Sequence, residues 1–350
     1  GHVMRCLTLA EKLKEISSDI TFISRKFKGN LNYFILKKGI KVCELPDSNY
    51  QNKKFPNLEK DDCANWLGVS EEEDAKQTIH AIANKKPDWL IIDHYSLGEK
   101  WEKKLRGCVR NIFVIDDIAN RKHDCDILLD QNWYKDMEAR YSKLLSLECI
   151  KVFGPKYALL RPEFSQERKI KINKNKKLKK IFIFFGGSDP QNLTGMTLNA
   201  LSDPIFNYLE LDVVLGAGNC YINEIKKLTE AREYTNLYVQ VDNIASIMKK
   251  ADLAIGSGGV NTWERICLNL ESHVIISAEN QKELNEQLND YKYVSLIGYS
   301  NTVNSNVLRS HIKNRLSTKK YVQNLSDLSL ICDGKGTDRV VSLLRTSFNA

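Results

Sequence analysis

Residues 253–264 read Leu253-Ala254-Ile255-Gly256-Ser257-Gly258-Gly259-Val260-Asn261-Thr262-Trp263-Glu264. An apolar run, a glycine turn and a helical segment follow one another, an order that directs free backbone N–H groups at an anion. Glycine lets a phosphate approach the backbone because no Cβ stands in the way. Glu264 supplies an acceptor for sugar hydroxyls. The stretch predicts an α/β fold with a site for a nucleoside diphosphate, and a turn that only requires small residues is the alternative.

A second turn of the same kind follows the apolar run from Ile181 to Phe185. It reads Gly186-Gly187-Ser188-Asp189-Pro190. Two such turns favour phosphate binding over a purely structural role. The chain contains neither a G-x-G-x-x-G motif nor a Walker A lysine, which argues against NAD and ATP sites.

Apolar runs alternate with helical periodicity along almost the whole chain. The predicted strands of the first half are Ile20–Ile23, Val42–Leu45, Trp89–Ile92, Ile112–Ile115 and Ile127–Leu129. Those of the second half are Ile181–Phe185, Leu211–Leu215, Leu237–Val241, Leu253–Ile255 and Val274–Ser277. Helical spacing occurs between them, as in Leu9, Leu13 and Ile16 and in Ala75, Ile79 and Ile82.

This alternation predicts an α/β protein with two doubly wound parallel-sheet, Rossmann-like domains that face one another across a cleft. We expect an N-terminal domain over residues 1–168 and a C-terminal domain over residues 169–350. A run of seven lysines between Lys169 and Lys180 is interpreted as the linker, because it contains no aromatic residues that would favour nucleic-acid binding. Polar clusters follow the strands, where open α/β sheets bind their ligands.

The composition limits the function further. The chain has 350 residues, 42% of them hydrophobic and 27% charged, and a net charge of +8. No apolar run approaches the length of about 20 residues that a membrane helix needs. Its nine cysteines include no C-x-x-C pair, so we expect no disulfide framework, no zinc site and a cytoplasmic location. Because the chain begins at Gly1 rather than Met, the lack of a signal peptide is weak evidence.

Several polar side chains are candidates for chemistry. His2 precedes an amphipathic helix and is either a general base or a terminal residue without a role. His94 and Tyr95 are substrate contacts or simply polar residues at a strand end. Asp116 and Asp117 point in alternate directions, so Asp116 is expected to hold a loop. A further group has no spacing that fits a metal site: His123, Asp124 and Asp126.

With these residues in place, the chain resembles the UDP-2,4-diacetamido-2,4,6-trideoxy-β-L-altropyranose hydrolases of pseudaminic acid biosynthesis. The matching blocks follow the family's order and span nearly the whole chain. They are Gly1–Ala10, Ile92–Tyr95, Ile115–Arg121, Leu129–Asn132, Gly154–Phe164, Gly186–Pro190, Ala251–Leu253, Gly256–Glu264, Glu279–Gln281 and Asp333–Gly336. That family is similar in fold to two-domain glycosyltransferases such as the lipid II N-acetylglucosaminyltransferase.

The resemblance implies a metal-independent, cofactor-free hydrolysis in which water attacks the anomeric carbon, inverts it and releases UDP. The catalytic base would be His2. Three residues would bind the sugar: Arg5, Tyr95 and Asn280. Asn280 is also a candidate cap for the helix that follows it. UDP would be bound by Gly186, Gly187, Ser188, Gly258, Gly259 and Glu264.

The sequence departs from the family at two points. The family carries a strand and a further glycine turn before the histidine, whereas this chain begins at that histidine's glycine, so the first strand of domain one is expected to be missing. Such a gap would leave the edge of a neighbouring strand exposed. Asn269-Leu270-Glu271-Ser272 replaces the usual glycine–leucine–proline turn, which removes no proposed catalytic group.

We therefore expect a monomeric hydrolase whose partner is a small-molecule UDP-sugar, with no nucleic-acid or membrane partner. One alternative is a glycosyltransferase that replaces water by a carbohydrate or lipid-linked hydroxyl. An exposed apolar and basic face on the first domain would favour it, and the sequence shows no strong amphipathic stretch of that type. The other alternative is a nucleotide-sugar-binding protein without activity.

Overall fold

The structure is a computed structural model that describes residues 1–27, 29–46, 66–170, 178–318 and 330–346. It divides into two compact units. Unit 1 comprises Gly1–Leu159 together with Thr337–Ala350, and unit 2 comprises Leu160–Gly336. The centre of the lysine run, residues 171–177, lies outside the described residues, so its interpretation as a linker stays a prediction.

The described residues of unit 1 form six parallel strands in two sheets. The strands are β1 (Thr21–Arg25), β2 (Lys41–Leu45), β3 (Trp89–Ile92), β4 (Asn111–Ile115), β5 (Ile127–Asp130) and β6 (Ile150–Phe153). A two-stranded sheet pairs β1 with β2, and a four-stranded sheet has the order β3-β4-β5-β6. In the described part of unit 1, β1 and β3 are both edge strands and no strand pairs with both of them.

Helices join these strands. They are α1 (His2–Glu15), α2 (Asn32–Lys37), α3 (Glu71–Ile82), α4 (Glu99–Leu105) and α5 (Met137–Tyr141). Two different cores meet at α1, because Leu7 and Ala10 pack with Ile35 and Ile40 while Leu9 packs against the four-stranded sheet. The helix thereby holds the two sheets of unit 1 together.

In unit 2, the part of the chain that the structure describes forms one sheet of six parallel strands. They are β7 (Lys180–Phe184), β8 (Glu210–Leu215), β9 (Thr235–Val239), β10 (Leu253–Ser257), β11 (Glu271–Ile276) and β12 (Ser295–Tyr299). The sheet order is β12-β11-β10-β7-β8-β9, so the first and fourth strands of the unit lie side by side at its centre. This is the doubly wound order, in which the connections change direction between β7 and β10.

Helices connect the strands of unit 2. They are α6 (Pro162–Lys169), α7 (Leu193–Leu201), α8 (Ile222–Glu230), α9 (Ile244–Lys249), α10 (Asn261–Cys267), α11 (Lys282–Asp290) and α12 (Ser305–Ser317). Leu211, Val213 and Ile255 are fully buried in the sheet's core. Strands covered on both faces read as continuous apolar runs, which is why the sequence reveals them.

The compact units differ from the sequence-based domain ranges of 1–168 and 169–350 in two places. Helix α6 belongs to unit 2, where it contacts α9 and α10. The final helix, α13 (Gly336–Thr346), returns to unit 1, since Val340, Val341 and Leu344 pack with Leu9 in that unit's core. The periodicity of apolar residues in a helix does not show which hydrophobic core the helix packs against.

The α/β class with parallel sheets is confirmed in both units. Within the described ranges, no helix combines the length and apolar character that crossing a bilayer requires.

Candidate functional site

His2 begins α1 and lies among aromatic rings and a carboxylate. Its ring packs edge-on against Tyr95, with ring centroids 4.5 Å apart, and more loosely against Trp66 at 6.0 Å. The Nε2 atom lies 3.7 Å from Oδ1 of Asp93 and has no hydrogen-bond partner among the described residues. Burial lowers the pKa of His2, although the charge of Asp93 acts in the opposite direction. His2 is therefore neutral at pH 7 and able to accept a proton.

Arg5 lies one turn further along α1 and is 3% exposed. Its Nε and Nη2 donate to Oδ2 and Oδ1 of Asp93 at 2.7 and 2.6 Å, and its Nη1 donates to Oδ2 of Asp117 at 2.8 Å. All three guanidinium nitrogens are thus bound by carboxylates. The substrate contact that the sequence predicts for Arg5 stays a prediction, and in the structure the guanidinium is held by Asp93 and Asp117.

The same ion pairs govern the charge of the carboxylate. Burial acts to raise the pKa of Asp93, but the adjacent charge and hydrogen bonds of Arg5 outweigh it and hold the pKa below its usual range. Tyr95 Oη donates to Oδ1 of Asp117 at 2.6 Å, which fixes the ring against His2. Asp93, Arg5, Asp117 and Tyr95 therefore form a connected polar network beside His2.

Asp116 and Asp117 act separately, in agreement with the sequence interpretation. Asp116 is fully buried, accepts a hydrogen bond from the backbone N–H of Ala119 at 3.0 Å and pairs with Arg121 at 2.9 Å. It holds the loop after β4, whereas Asp117 faces Arg5 and Tyr95. The pair is not a shared-proton dyad.

The remaining polar candidates of unit 1 are bound to protein groups. Nδ1 of His94 accepts from the backbone N–H of Ser96 at 3.1 Å, and burial lowers the pKa of His94 to about 4. His123 contacts Glu102 at 2.6 Å. Asp124 and Asp126 both bind Arg106. Among the described residues, no group of His, Cys, Asp and Glu side chains has the geometry of a metal site.

In unit 2 the two glycine turns follow neighbouring strands. Gly186 and Gly187 follow β7, and Gly258 and Gly259 follow β10. Because β7 and β10 pair in parallel, their carboxyl ends lie at the same edge of the sheet, at the point where the connections change direction. Doubly wound sheets bind their ligands in the crevice at this point.

A third turn, which contains Gly216, packs against the turn Gly186–Ser188. A Cβ on Gly216, which follows β8, would lie 2.3 Å from the carbonyl oxygen of Gly187, so only glycine allows the two turns to approach this closely. By contrast, a Cβ on Gly187 would meet nothing within 4 Å, and both Gly187 and Ser188 are exposed. The outer surface of the Gly186–Ser188 turn is therefore open to a ligand.

The backbone N–H groups at the amino-terminal end of α7, behind that turn, are already hydrogen-bonded to side chains. Asp189 is 3% exposed, and its two carboxylate oxygens accept from the backbone N–H groups of Leu193 and Thr194, both at 2.9 Å. Asn192 accepts from the N–H of Gly195. A phosphate at this turn would have to use the turn's own backbone rather than the end of α7.

A buried side-chain amide stabilises the second turn, Gly256–Gly259, by a hydrogen bond to its backbone. Asn285 is fully buried, and its Nδ2 donates to the carbonyl oxygen of Gly258 at 2.9 Å and to that of Gln281 at 2.6 Å. A Cβ on Gly258 would lie 2.2 Å from that nitrogen, which explains the glycine. A Cβ on Gly259 would have only Gln281 nearby, at 3.7 Å, so this glycine faces open space.

Glu264 lies one turn into α10, with its side chain 13% exposed. Burial raises the pKa of Glu264, while the guanidinium of Arg161, 3.8 Å away, acts to lower it. Arg161 also pairs with Glu163 at 3.2 Å. The carboxylate is thus oriented by a cation and keeps a small exposed surface.

Asn280 is exposed and lies in the short turn Glu279–Gln281 before α11. The N-cap position of α11 is Gln281, and no side chain caps it, so Asn280 is not the cap that the sequence left as an alternative. Sequence reasoning missed Trp66, Asn285 and Arg265. Asn285 and Arg265 are buried residues on helices. The sequence alone does not show whether a polar side chain on a helix points into the protein or into solvent.

No family model matches the chain, but individual known proteins are similar to it. The chain is 27% identical over 284 residues to UDP-2,4-diacetamido-2,4,6-trideoxy-β-L-altropyranose hydrolase of Campylobacter jejuni, an alignment that covers 81% of this chain and 88% of that protein. The resemblance predicted from the sequence is confirmed by this relationship.

Two further relatives are similar to the chain at comparable identity. An uncharacterized protein of Methanocaldococcus jannaschii is 29% identical over 81% of this chain, which spans only about half (54%) of that protein. The spore coat polysaccharide biosynthesis protein SpsG of Bacillus subtilis is 26% identical over 99% of this chain and 94% of its own length.

Solved structures confirm the fold. MurG of Acinetobacter baumannii matches with a TM-score of 0.63 at 14% identity, covering 99% of this chain and 96% of its own. UGT89C1 of Arabidopsis thaliana, in complex with UDP-L-rhamnose, matches with a TM-score of 0.61 at 10% identity, covering 97% and 95%. At these identities the likeness concerns the fold alone.

Proposed function

We propose that this protein hydrolyses a UDP-linked 2,4-diacetamido-2,4,6-trideoxy sugar, with water as the nucleophile and UDP as the product. The observation that carries the proposal is the environment of His2, an imidazole whose pKa is lowered by burial and which lies beside the Asp93 carboxylate and edge-on to Tyr95. The similarity to the Campylobacter hydrolase supports the choice of substrate.

In the proposed step, His2 accepts a proton from water while the water oxygen attacks the anomeric carbon. The bond between that carbon and the β-phosphate oxygen breaks, UDP leaves with the electron pair, and the configuration at carbon is inverted. A positioned base of this kind contributes about 10²–10⁴-fold to the rate. Asp93 stabilises the imidazolium that forms, since its carboxylate lies 3.7 Å from Nε2.

The leaving diphosphate is assigned to the glycine turns of unit 2. Gly186, Gly187 and Ser188 on one side and Gly258 and Gly259 on the other flank the two central strands. Backbone N–H groups fixed in position stabilise developing negative charge without reorganising during the reaction. Glu264 is proposed to bind the ribose hydroxyls, and Tyr95 and Asn280 the sugar. The reaction then needs no metal.

The test is UDP release from UDP-2,4-diacetamido-2,4,6-trideoxy-β-L-altropyranose with EDTA present and no acceptor added. We expect turnover, with the first-formed sugar anomer, observed by NMR before mutarotation, inverted relative to the substrate. Loss of activity with EDTA would contradict metal independence. UDP binding without turnover would instead indicate a binding protein.

A glycosyltransferase is the second candidate, and one observation favours it. On α2 and just before it, Leu31, Tyr33 and Leu36 are 42%, 81% and 52% exposed, and Lys37 and Lys38 adjoin them. An apolar and basic face of this kind suits an acceptor on an anionic lipid surface. UDP release that requires a lipid-linked acceptor would establish this function in place of hydrolysis.

A further inference from the structure

Arg265 lies on α10 directly beneath the turn Gly256–Gly259 and is 1% exposed. Its Nη2 donates to the carbonyl oxygen of Ser257 at 2.9 Å and to Oγ1 of Thr262 at 3.1 Å. A Cβ on Gly256 would lie 2.9 Å from Nη1, so the guanidinium is packed against the backbone of the turn. The group is therefore fixed in position.

The charge of this group is not offset as that of Arg5 is. Among the described residues no carboxylate lies within ion-pair distance of Arg265, and its Nε has no acceptor. Burial lowers the pKa of Arg265 to about 10, with Glu264 acting weakly in the opposite direction, so the group stays cationic at neutral pH. An uncompensated buried charge costs stability, which calls for a compensating anion.

We propose that Arg265 is the fixed cation of the diphosphate site, whose uncompensated charge attracts the UDP diphosphate to the turn Gly256–Gly259. The inference rests on the proposed function, because it assumes that unit 2 binds UDP. It assigns Arg265 a binding role through its electric field, which is strong because the surrounding protein screens it less than water does. A residue that only held the turn would act through its hydrogen bonds instead.

Three substitutions separate charge from hydrogen bonding. Arg265→Lys keeps the charge, Arg265→Gln removes the charge and keeps a donor for Ser257, and Arg265→Met removes both. We expect UDP and inorganic pyrophosphate, measured by calorimetry at low salt, to bind about tenfold or more weakly to the Gln and Met variants. The Lys variant should retain most of the affinity, and uridine should bind equally to all four proteins.

Arg309→Met serves as the control, since it removes the same charge from a side chain that pairs with Asp203. It should bind UDP like the wild type. Equal UDP affinities for Arg265→Lys and Arg265→Gln would overturn the inference, and so would parallel losses of UDP and uridine. The Lys and Gln pair decides the matter even if the Met variant fails to fold.

These outcomes are distinct from failure of the proposed function. A wild-type protein that does not bind UDP would overturn the nucleotide site itself. A wild-type protein that binds UDP but releases none from the sugar nucleotide would overturn hydrolysis and leave the role of Arg265 to be decided by its own variants.

Discussion

Arg5 and Asp93 form a two-point ion pair, with Nε 2.7 Å from Oδ2 and Nη2 2.6 Å from Oδ1. The pair joins the first turn of α1 to the residue that follows β3. Because His2 lies one helical turn before Arg5, the same pair fixes the start of the helix and places the imidazole beside Asp93 and Tyr95.

Replacing His2 by Asn should remove turnover and leave UDP affinity nearly unchanged. The change deletes the base but none of the glycine turns, and the loss should reach about 10²–10⁴-fold. Single-turnover kinetics and UDP calorimetry on the same preparations measure the two effects. Loss of UDP binding in this variant would contradict the assignment of His2 to the chemical step.

The pH dependence of the reaction should show one acidic limb. Burial lowers the pKa of His2 from 6.5, and the base acts in its neutral form, so kcat/KM should rise with pH below that value and be level from about pH 7 upward. A pH profile of kcat/KM on the intact protein measures the limb. A midpoint above 6.5 would argue against His2 as the base.

Replacing Asp93 by Asn should destabilise the protein strongly. The substitution leaves Arg5 buried with its charge only partly compensated, and breaking such pairs costs about 3–5 kcal/mol. Urea unfolding measures the change. Lys41→Met is a suitable comparison, because it breaks the exposed pair with Asp19 and should change the midpoint little. Similar effects of the two substitutions would contradict the structural role of the Arg5–Asp93 pair.

Replacing Gly216 by Ala should weaken both folding and UDP binding. The new Cβ would meet the carbonyl oxygen and Cα of Gly187 at 2.3 and 2.5 Å, and these are backbone atoms that cannot move alone. Thermal unfolding with and without UDP measures the effect. Gly187→Ala is the matched control for stability, since its Cβ meets no atom within 4 Å. If Gly187→Ala keeps the stability of the wild type but binds UDP more weakly, the ligand contacts the turn that contains Gly187.

Among the described strands, the sequence predicts all six central ones and four of the six that lie at sheet edges. Strands such as Leu253–Ser257 are buried throughout, so their apolar runs are continuous. The two unpredicted strands, Ile150–Phe153 and Ser295–Tyr299, are edge strands with exposed or half-buried positions. Because these two strands are not buried on both faces, their residues need not form an apolar run, and hydropathy does not distinguish them from loops.

The candidate site shows a similar limit. The glycine turns are visible in the sequence because close approaches of the backbone, such as that of Gly258 to Asn285, require glycine at fixed positions after the strands. The capture of Arg5 by two carboxylates is not visible, since Asp93 and Asp117 are 88 and 112 residues away along the chain. Long-range pairing of charges depends on the fold, and a single sequence does not record it.

The return of α13 to unit 1 orders events during synthesis. The chain leaves unit 1 after Leu159 and re-enters it at Thr337, so all of unit 2 is translated before the last helix of unit 1 exists. Val340, Val341 and Leu344 are then the final pieces of the core around Leu9. On the ribosome, unit 2 can fold as a unit before α13 has been made. Until then the core beneath α1 lacks one of its helices, and its exposed apolar face is a surface that chaperones can bind.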